Sequence, residues 1–484
     1  MRRSGVLEGS CNLLRCSLHS LTISTDLRPS RRANDNGSMS RIPSAKLGLA
    51  VWLVAPLFYV ASQDPATALE LYDQAGRRAA AEIKFIGGIQ YASGINYGFG
   101  AFDAPGESER ANLSVAVKPR LDLNWALSAS EFYSTFTVVA ATSTLDGELS
   151  GQVARAGDQA FDTDSTTVGW RNDILDFSVG GQEFSVGDGL VIGDGNFNQG
   201  GPDGQYWIGA FSAWRNTAIL RVSTEPIRGD VFWLRTDDDL GDSRVVGVNV
   251  ETTTKDSFGT LGLMYFEIID EQRFGWEGMR VASLRGADIK VPGIENLKLF
   301  GEFVMERGES DFSGRENDGN AWYVEANYRF VDLPWTPTFF YRYAHFSGDE
   351  AGTNDNEEYR GLFFTIFKRD WDTWYQGEVG GEFHLFNQNQ VTQMAKLKVS
   401  PHPAWSLGMW YYTHDLDTPQ YFGTPVTDTD WSEEVNLGVE YFPDDRLYTY
   451  WGFAWSTPHQ GAVDAFGGRD DTLIIEMFIS YTYR

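Results

Sequence analysis

The chain has 484 residues, of which 67 are acidic and 39 basic, giving a formal net charge of −28. This excess of negative charge excludes nucleic acid as a partner, because phosphate backbones are bound by positively charged surfaces. The chain is 42 % hydrophobic and 14 % aromatic and contains 51 glycines, a mixture typical of strands in which every second residue is apolar.

The first predicted element is a secretory signal peptide over residues 39–68. A short basic stretch from Met39 precedes the apolar run 46–61, and small residues suited to cleavage follow it. A transmembrane anchor is the alternative, but the run is short for a spanning helix and contains Pro56. Residues 1–38 are interpreted as an upstream extension or a mis-assigned start. They hold both cysteines, so we expect no disulfide in the mature chain.

Residues 69–81 show a short helical pattern and are predicted to be a periplasmic N-terminal segment. From residue 82 to the C-terminus, apolar and polar residues alternate with a period of two between turn signals. The last strand is a clear example, since Leu473 and Ile475 share one face and Glu476 lies on the other. The alternation predicts eighteen strands, near 82–99, 112–125, 131–142, 166–172, 175–184, 214–223, 228–236, 243–253, 258–268, 277–289, 296–307, 320–330, 335–346, 391–400, 404–415, 431–442, 446–456 and 472–484.

Short and long connections alternate between these strands. Tight turns carry Pro, Gly or Asp, as at 292–293 and 443–445, whereas long acidic loops include 348–372 and 456–471. Short periplasmic turns opposite long extracellular loops, with an even number of strands, are typical of bacterial outer-membrane barrels. The sequence therefore predicts an all-β fold, a transmembrane antiparallel up-and-down β-barrel of about eighteen strands that begins at residue 82.

Alternation also assigns the two faces of each strand. In 320–330 the even-numbered residues, such as Val324, are predicted to face lipid, and the odd-numbered ones, such as Glu325, to face the lumen. In 431–442 the outward set is predicted to begin at Trp431, with Glu434 pointing inward. Inward faces this polar indicate a hydrated or loop-plugged interior rather than an apolar core.

One stretch resembles a known family. Residues 175–190 (LDFSVGGQEFSVGDGL) resemble the motif of the bacterial alginate export family in which a strand with a Gly-Arg-Gln-like step runs into a Gly-Asp-Gly loop. Residues 117–123, 373–378 and 393–398 are also similar to that family. The resemblance implies an outer-membrane channel that passes an anionic polysaccharide or related solute through a pore lined with cationic residues. The arginine of the motif is replaced here by Gly181.

The predicted strand faces supply candidate pore residues. The cationic candidates are Lys118, Arg120, Arg171, Arg221, Arg235, Arg329, Arg342, Lys396 and Lys398. The acidic candidates are Asp122, Glu302, Glu306, Glu325, Glu434, Glu440 and Glu476. Arg and Lys can offer carboxylate solutes repeated weak contacts. Alternatively, the two sets pair with each other and brace the wall, since desolvated charges need partners.

No enzymatic or metal motif emerges. The histidines are dispersed, and no cofactor is expected; a Ser/His site with His414 and Glu434 as lumen neighbours is the remaining enzymatic alternative. The loop 187–204 is expected to fold inward as a constriction. Asp194, Asn196 and Asn198 follow the first spacings of a calcium loop, but the glycine is displaced and Gln205 replaces the final glutamate, so we expect no metal.

The function favoured by the sequence is an outer-membrane channel that passes an anionic polysaccharide or small organic anion by diffusion. The alternatives are a general or substrate-specific uptake porin and a loop-plugged barrel acting as receptor or adhesin. The expected partners are outer-membrane lipid and lipopolysaccharide, an anionic saccharide or organic acid solute, and periplasmic export proteins if the solute is exported.

Overall fold

The structure is a computed structural model that describes residues 69–95, 108–147, 149, 159–193, 207–237, 241–253, 258–309, 314–364 and 376–484. The predicted signal peptide, both cysteines and the calcium-like positions 194–198 lie outside these ranges. The described residues form twenty-two strands, a π-helical turn at Gly380–Leu385 and one short helix, α1, at Gln460–Phe466.

The strands are β1 Leu69–Gln74, β2 Arg77–Ser93, β3 Glu109–Ala126, β4 Glu131–Leu145, β5 Gln159–Arg171, β6 Leu175–Gln182, β7 Trp214–Ser223, β8 Ile227–Arg235, β9 Arg244–Thr252, β10 Thr260–Asp270, β11 Arg280–Val291, β12 Ile294–Glu309, β13 Glu316–Asn317, β14 Asn320–Arg329, β15 Thr338–Phe346, β16 Gln390–His402, β17 Trp405–Leu416, β18 Gln420–Tyr421, β19 Thr424–Pro425, β20 Asp430–Tyr441, β21 Leu447–Pro458 and β22 Thr472–Tyr483.

Eighteen of the described strands close into one antiparallel barrel, namely β2–β12, β14–β17 and β20–β22. Each pairs with the next along the chain, and β22 returns to β2, where Ile83 lies opposite Tyr483 and Ser93 opposite Leu473. Closure satisfies the backbone groups of every barrel strand within the sheet, as a membrane interior requires. The predicted eighteen-stranded antiparallel barrel is confirmed, and each predicted strand coincides with one barrel strand.

The connections alternate between the two ends of the barrel. One end, the short-turn end, carries turns such as 292–293 and 403–404; the other, the long-loop end, carries connections such as 183–213 and 347–389. The alternation of length is not strict, since 236–243 at the long-loop end is no longer than 330–337 at the short-turn end. Bacterial barrels place the short turns in the periplasm, which orients the chain.

Side-chain exposure alternates along the barrel strands. In β10, Leu263 and Tyr265 are 60 % and 46 % exposed on the outer face, whereas Met264 and Phe266 are buried on the inner face. The alternation follows from the period of two in a pleated strand. The outer face is thus an apolar wall. No helix in the described part of the chain is long and apolar enough to cross a membrane.

The predicted helix at 69–81 is wrong. Residues 69–74 form β1, and residues from Arg77 onward already belong to barrel strand β2, so the barrel begins before residue 82. Ala75 and Gly76 join the two strands with positive φ values of 53° and 74°, the geometry of a tight hairpin. The alanines of 79–81 favour a helix locally, but pairing with β1 and β3 overrides that propensity.

The lipid-facing assignment of Trp431 is also wrong. Its side chain is 0 % exposed and packs with Leu416 and Ala462 under α1. The pairing of β17 with β20 shifts register between His414 and Asp415, next to Trp431. Such a bulge changes the direction in which the following side chains point, and strict alternation from the sequence misses it.

Candidate functional site

Two stretches of chain enter the barrel from the long-loop end and meet in its lumen. Residues 184–193 and 359–364 form one apolar cluster with inward-facing residues of β8–β15, including Phe232 and Phe266. The backbone N–H of Phe363 donates to the carbonyl of Val191 at 3.2 Å. The indole of Trp214 donates to two carbonyls of the inward stretch, at 2.9 and 3.0 Å. The expected inward fold of 187–204 is confirmed for 187–193, its described part.

A third inward segment, 376–389, is held by a carboxylate on the barrel wall. Glu434 of β20 accepts the backbone N–H groups of Glu378 at 2.6 Å, Val379 at 3.1 Å and Gly380 at 2.8 Å. These groups open the π-helical turn, so the carboxylate neutralises the positive end of its dipole. Gly380 is required there, because a Cβ would lie 2.5 Å from the ring of His414.

The same turn carries a buried histidine. His384 is 0 % exposed, and its ring lies 6.0 Å from that of Trp431 and 5.5 Å from that of Phe466. Burial, together with the nearby His414, lowers the pKa of His384 to about 3. The imidazole is therefore neutral at physiological pH and packs among aromatic rings.

A fourth inward segment, 207–213, lies against β2–β5. Asp164 accepts the backbone N–H groups of Ser212 at 2.8 Å and Ala213 at 3.1 Å, and Lys118 Nζ lies 2.8 Å from the same carboxylate. Trp207 covers Gly88 so closely that a Cβ at that position would lie 1.9 Å from the indole. The segment forms the ceiling of the space below it.

That space is a lumen cavity of about 710 Å³. Its walls come from β2–β5 and β16–β22 toward the short-turn end, and Ile208 and Ser212 lie at its top. Phe442, Tyr448 and Phe478 supply aromatic surface. The ionisable lining residues are the cations Lys84, Lys118, Arg120 and Lys398 and the acids Glu82, Asp164, Glu183 and Glu440. The cavity thus combines balanced charge with apolar rings.

Most of the predicted pore cations are paired with acids. The pairs that involve them are Lys118–Asp164, Arg120–Asp122, Arg171–Glu131, Arg221–Asp230, Arg235–Asp242, Arg342–Glu325 and Lys398–Glu440. Lys396 is buried, with its ammonium 4.8 Å from the ring centres of both Phe340 and Trp410. Arg329, at the short-turn end, has no carboxylate within 4 Å among the described residues. The bracing interpretation thus accounts for most of the predicted cations.

The inward assignment of Arg235 is wrong. In β8 the buried inward residues are Asp230, Phe232 and Leu234, so Arg235 falls on the outer face with the exposed Val231. Both faces of this strand are apolar, so the alternation of residues does not indicate which face points into the lumen. The sequence alone therefore misassigned the face. Arg235 pairs instead with Asp242 at the long-loop end.

The predicted acids are all buried or paired within the lumen. Glu302 accepts the hydroxyl of Ser283, Glu306 accepts the backbone N–H of Arg360 at 2.9 Å, and Glu476 accepts the amide of Gln90 at 3.3 Å. Two of them, Glu306 and Glu434, thereby attach inward segments to the wall. Their role in this structure is to hold the loops.

Several lumen residues were missed by the sequence. A second charged network on β7–β11 joins Asp230 to Arg221 at 2.7 Å and Arg285 to Glu251 at 2.8 Å. Arg285 shares the buried face of β11 with Val281 and Ser283, so alternation could have found it. Lys84 and Asp164 were also missed. Asp164 lies within an irregularity in the pairing of β4 with β5, so a period-two pattern does not predict which face its side chain occupies.

Acids of the long loops are partly paired as well. Asp349 receives both terminal nitrogens of Arg315, at 2.8 and 2.7 Å. Burial opposes ionisation, but the hydrogen bonds from Arg315 lower the pKa of Asp349 below its usual value. This pair ties 314–319 to 347–357 and stiffens the long-loop end.

No protein-family model matches the chain, and no curated protein matches it. Solved structures do match. Pseudomonas aeruginosa OpdL aligns with a TM-score of 0.57 at 10 % identity, covering 84 % of this chain and 98 % of that one. The chain has the fold of an outer-membrane β-barrel.

Two further Pseudomonas aeruginosa structures agree. OpdK solved with vanillate gives a TM-score of 0.55 at 10 % identity, over 83 % of this chain and 98 % of that one. OccK5 (OpdH) gives 0.54 at 12 % identity, over 84 % and 97 %. Identities this low show the fold alone. The barrel resemblance is thus supported, whereas these structures lend no support to the alginate export family in particular.

Proposed function

We propose that this barrel is a substrate-specific outer-membrane channel for small organic anions, aromatic carboxylates above all. The proposal rests on the unpaired side chain of Lys84. Among the described residues, it is the one ionised side chain lining the lumen cavity that has neither a hydrogen bond nor an ion pair. It lies directly opposite Lys118 across the β2–β3 pairing.

Charge explains why an anion is favoured. The other ionisable groups of the cavity are engaged: Lys118 with Asp164, Lys398 with Glu440, and Glu183 with the hydroxyl of Ser212. A carboxylate entering the cavity would meet an unpaired ammonium beside a second one, an arrangement that supports a charge-assisted contact. One modest contact of this kind also allows release, which conduction requires.

Size favours a small solute. Cavities of about 300–1,000 Å³ suit small molecules, and the lumen cavity falls within that range. The inward segments 184–193, 207–213 and 376–389 pack against the wall above it, which leaves the passage of an anionic polysaccharide less well supported than a porin function. Phe442, Tyr448 and Phe478 would pack against an aromatic ring. OpdK, of similar fold, was solved with vanillate, itself a small aromatic carboxylate.

Planar-bilayer recording tests the proposal. We expect discrete conductance steps and a concentration-dependent block by benzoate-class anions, while alginate oligomers neither block nor permeate. In Lys84→Gln the block should weaken roughly tenfold, the value of one hydrogen bond to a charged group. Lys84→Arg, which keeps the charge, should retain it. Arg469→Gln is a control that removes the same charge from an exposed position at the long-loop end.

Three results would contradict the proposal. If benzoate-class anions block the native protein and Lys84→Gln equally, Lys84 does not bind the solute. Permeation by alginate oligomers would favour polysaccharide export. A protein that inserts but never conducts would favour a loop-plugged receptor.

A further inference from the structure

We propose that the outer face of β1–β5, at the short-turn end, binds an anionic glycerophospholipid of the inner leaflet. The site is an open cavity of about 650 Å³ whose lining includes Tyr72, Arg77, Leu123, Trp125, Phe132 and Val168. The inference rests on the membrane-spanning fold and is independent of the channel proposed above.

Strand pairing builds the site from two rows of outward side chains. In the row nearer the turns, Arg77 lies opposite Trp125, and Trp125 opposite Phe132. In the next row, Leu123 lies opposite Ala79 on one side and Ser134 on the other. The small side chains of that second row leave depressions between larger neighbours. The result is a groove floored by the sheet and open toward lipid.

The charge at this site is available to a ligand. The guanidinium of Arg77 lies 4.9 Å above the ring of Trp125, and no carboxylate lies within 4 Å of it in the part of the chain that the structure describes. Its neighbour Arg78, which also lines the cavity, lies 3.8 Å from Glu70 and is therefore paired with an acid. Arg77 therefore presents a positive charge at the level where the strands end, which is the level of lipid phosphates. A planar guanidinium suits phosphate.

The β1–β2 hairpin completes the groove. Tyr72 of β1 pairs with Ala79 of β2, which places it at the side of the groove that would otherwise be open. Its side chain is 44 % exposed, and those of Trp125 and Phe132 are both 49 % exposed. Tyrosine and tryptophan at the interface contact headgroups with their polar edges and acyl chains with their rings. The apolar Leu123 and Val168 continue the groove toward the membrane interior, where acyl chains lie.

Native mass spectrometry of the full barrel, released from detergent micelles containing phosphatidylglycerol and phosphatidylethanolamine, tests the site. We expect phosphatidylglycerol to be retained preferentially. Arg77→Gln should reduce that retention about fivefold, the effect of one basic residue near an anionic lipid surface. Lys298→Gln removes the same charge from an exposed position at the same end of the barrel, on β12 and outside this cavity, and should leave retention unchanged.

A displacement test and the comparison of variants decide whether the site binds lipid. Excess inorganic phosphate should not displace the lipid, because the acyl chains contribute to binding; displacement would show a phosphate site rather than a lipid site. Equal retention by Arg77→Gln and the native barrel would overturn the proposal. If Arg77→Gln does not assemble, Arg77→Lys serves instead, since it keeps the charge but loses the planar contacts and should retain an intermediate amount of lipid.

Discussion

The carboxylate of Glu434 on the barrel wall lies 2.8 Å from the backbone N–H of Gly380 in the inward segment 376–389. Two neighbouring N–H groups donate to the same carboxylate. A wall residue, rather than a partner within the loop, thus fixes where this segment sits. The same device recurs where Asp164 accepts the N–H groups of Ser212 and Ala213.

Glu434→Ala should release segment 376–389. Removing the carboxylate leaves three buried N–H groups without their acceptor, which costs about 1–3 kcal/mol for each unsatisfied group. We expect larger and noisier conductance steps in bilayer recordings, together with faster amide exchange in 376–389. Glu440→Ala is the comparison, since Glu440 faces the lumen but pairs with Lys398 instead of a loop. Identical noise in the two variants would contradict the tether.

Acidification should loosen the same segment through His384. The pKa of His384 is lowered from about 6.5 in an unfolded chain to about 3. The folded form therefore binds fewer protons than the unfolded form. The free energy that favours the folded segment is fully present above about pH 6.5 and falls by about 1.4 kcal/mol per pH unit as the pH drops toward 3. This loss is measured by amide exchange of residues 376–389 between about pH 7 and about pH 4.5, corrected for intrinsic exchange rates.

The control for this pH effect is His384→Phe. Phenylalanine fits the aromatic surroundings of Trp431 and Phe466 and does not titrate. Protection of the segment in this variant should be nearly independent of pH over the same range. A pH dependence equal to that of the native chain would assign the effect to another group.

Arg342 should matter for stability more than for ion selectivity. Its side chain and that of Glu325 are 4 % and 1 % exposed, with Nε and the carboxylate 2.7 Å apart. Arg342→Met leaves a buried carboxylate uncompensated and should destabilise the barrel by about 3–5 kcal/mol. The double variant Arg342→Met/Glu325→Leu should recover most of that loss. Urea unfolding in detergent measures both, and equal stability of the single and double variants would argue against the pair.

Gly88 should control the height of the lumen cavity. A Cβ there would lie 1.9 Å from Trp207, so Gly88→Ala must push segment 207–213 away from the wall. We expect a larger conductance, at a cost of about 1–3 kcal/mol for the overpacking. Adding Trp207→Leu removes the clash and should restore stability. Conductance unchanged in Gly88→Ala would place the constriction elsewhere.

The sequence by itself determined the barrel. Period-two alternation, turn residues and a closing strand such as 472–484 identify eighteen strands, because pleated strands buried on one side impose that pattern wherever they occur. Alternation also placed Glu325, Arg342, Lys396 and Glu434 on the inner face, and the structure buries all four side chains. Alternation failed at Trp431, where a bulge interrupts the pattern, and at Arg235, where both faces of the strand are apolar.

Only the tertiary structure decided which lumen charges are available. Arg342 and Lys84 look alike in the sequence, yet Arg342 pairs with Glu325 across neighbouring strands, whereas Lys84 makes no ion pair within 4 Å in the described residues. Likewise, nothing local marks Glu434 as the acceptor for residues more than fifty positions away. Ion pairs and loop tethers depend on which residues the closed barrel brings together, and periodicity along one strand holds no information about the neighbour across the lumen.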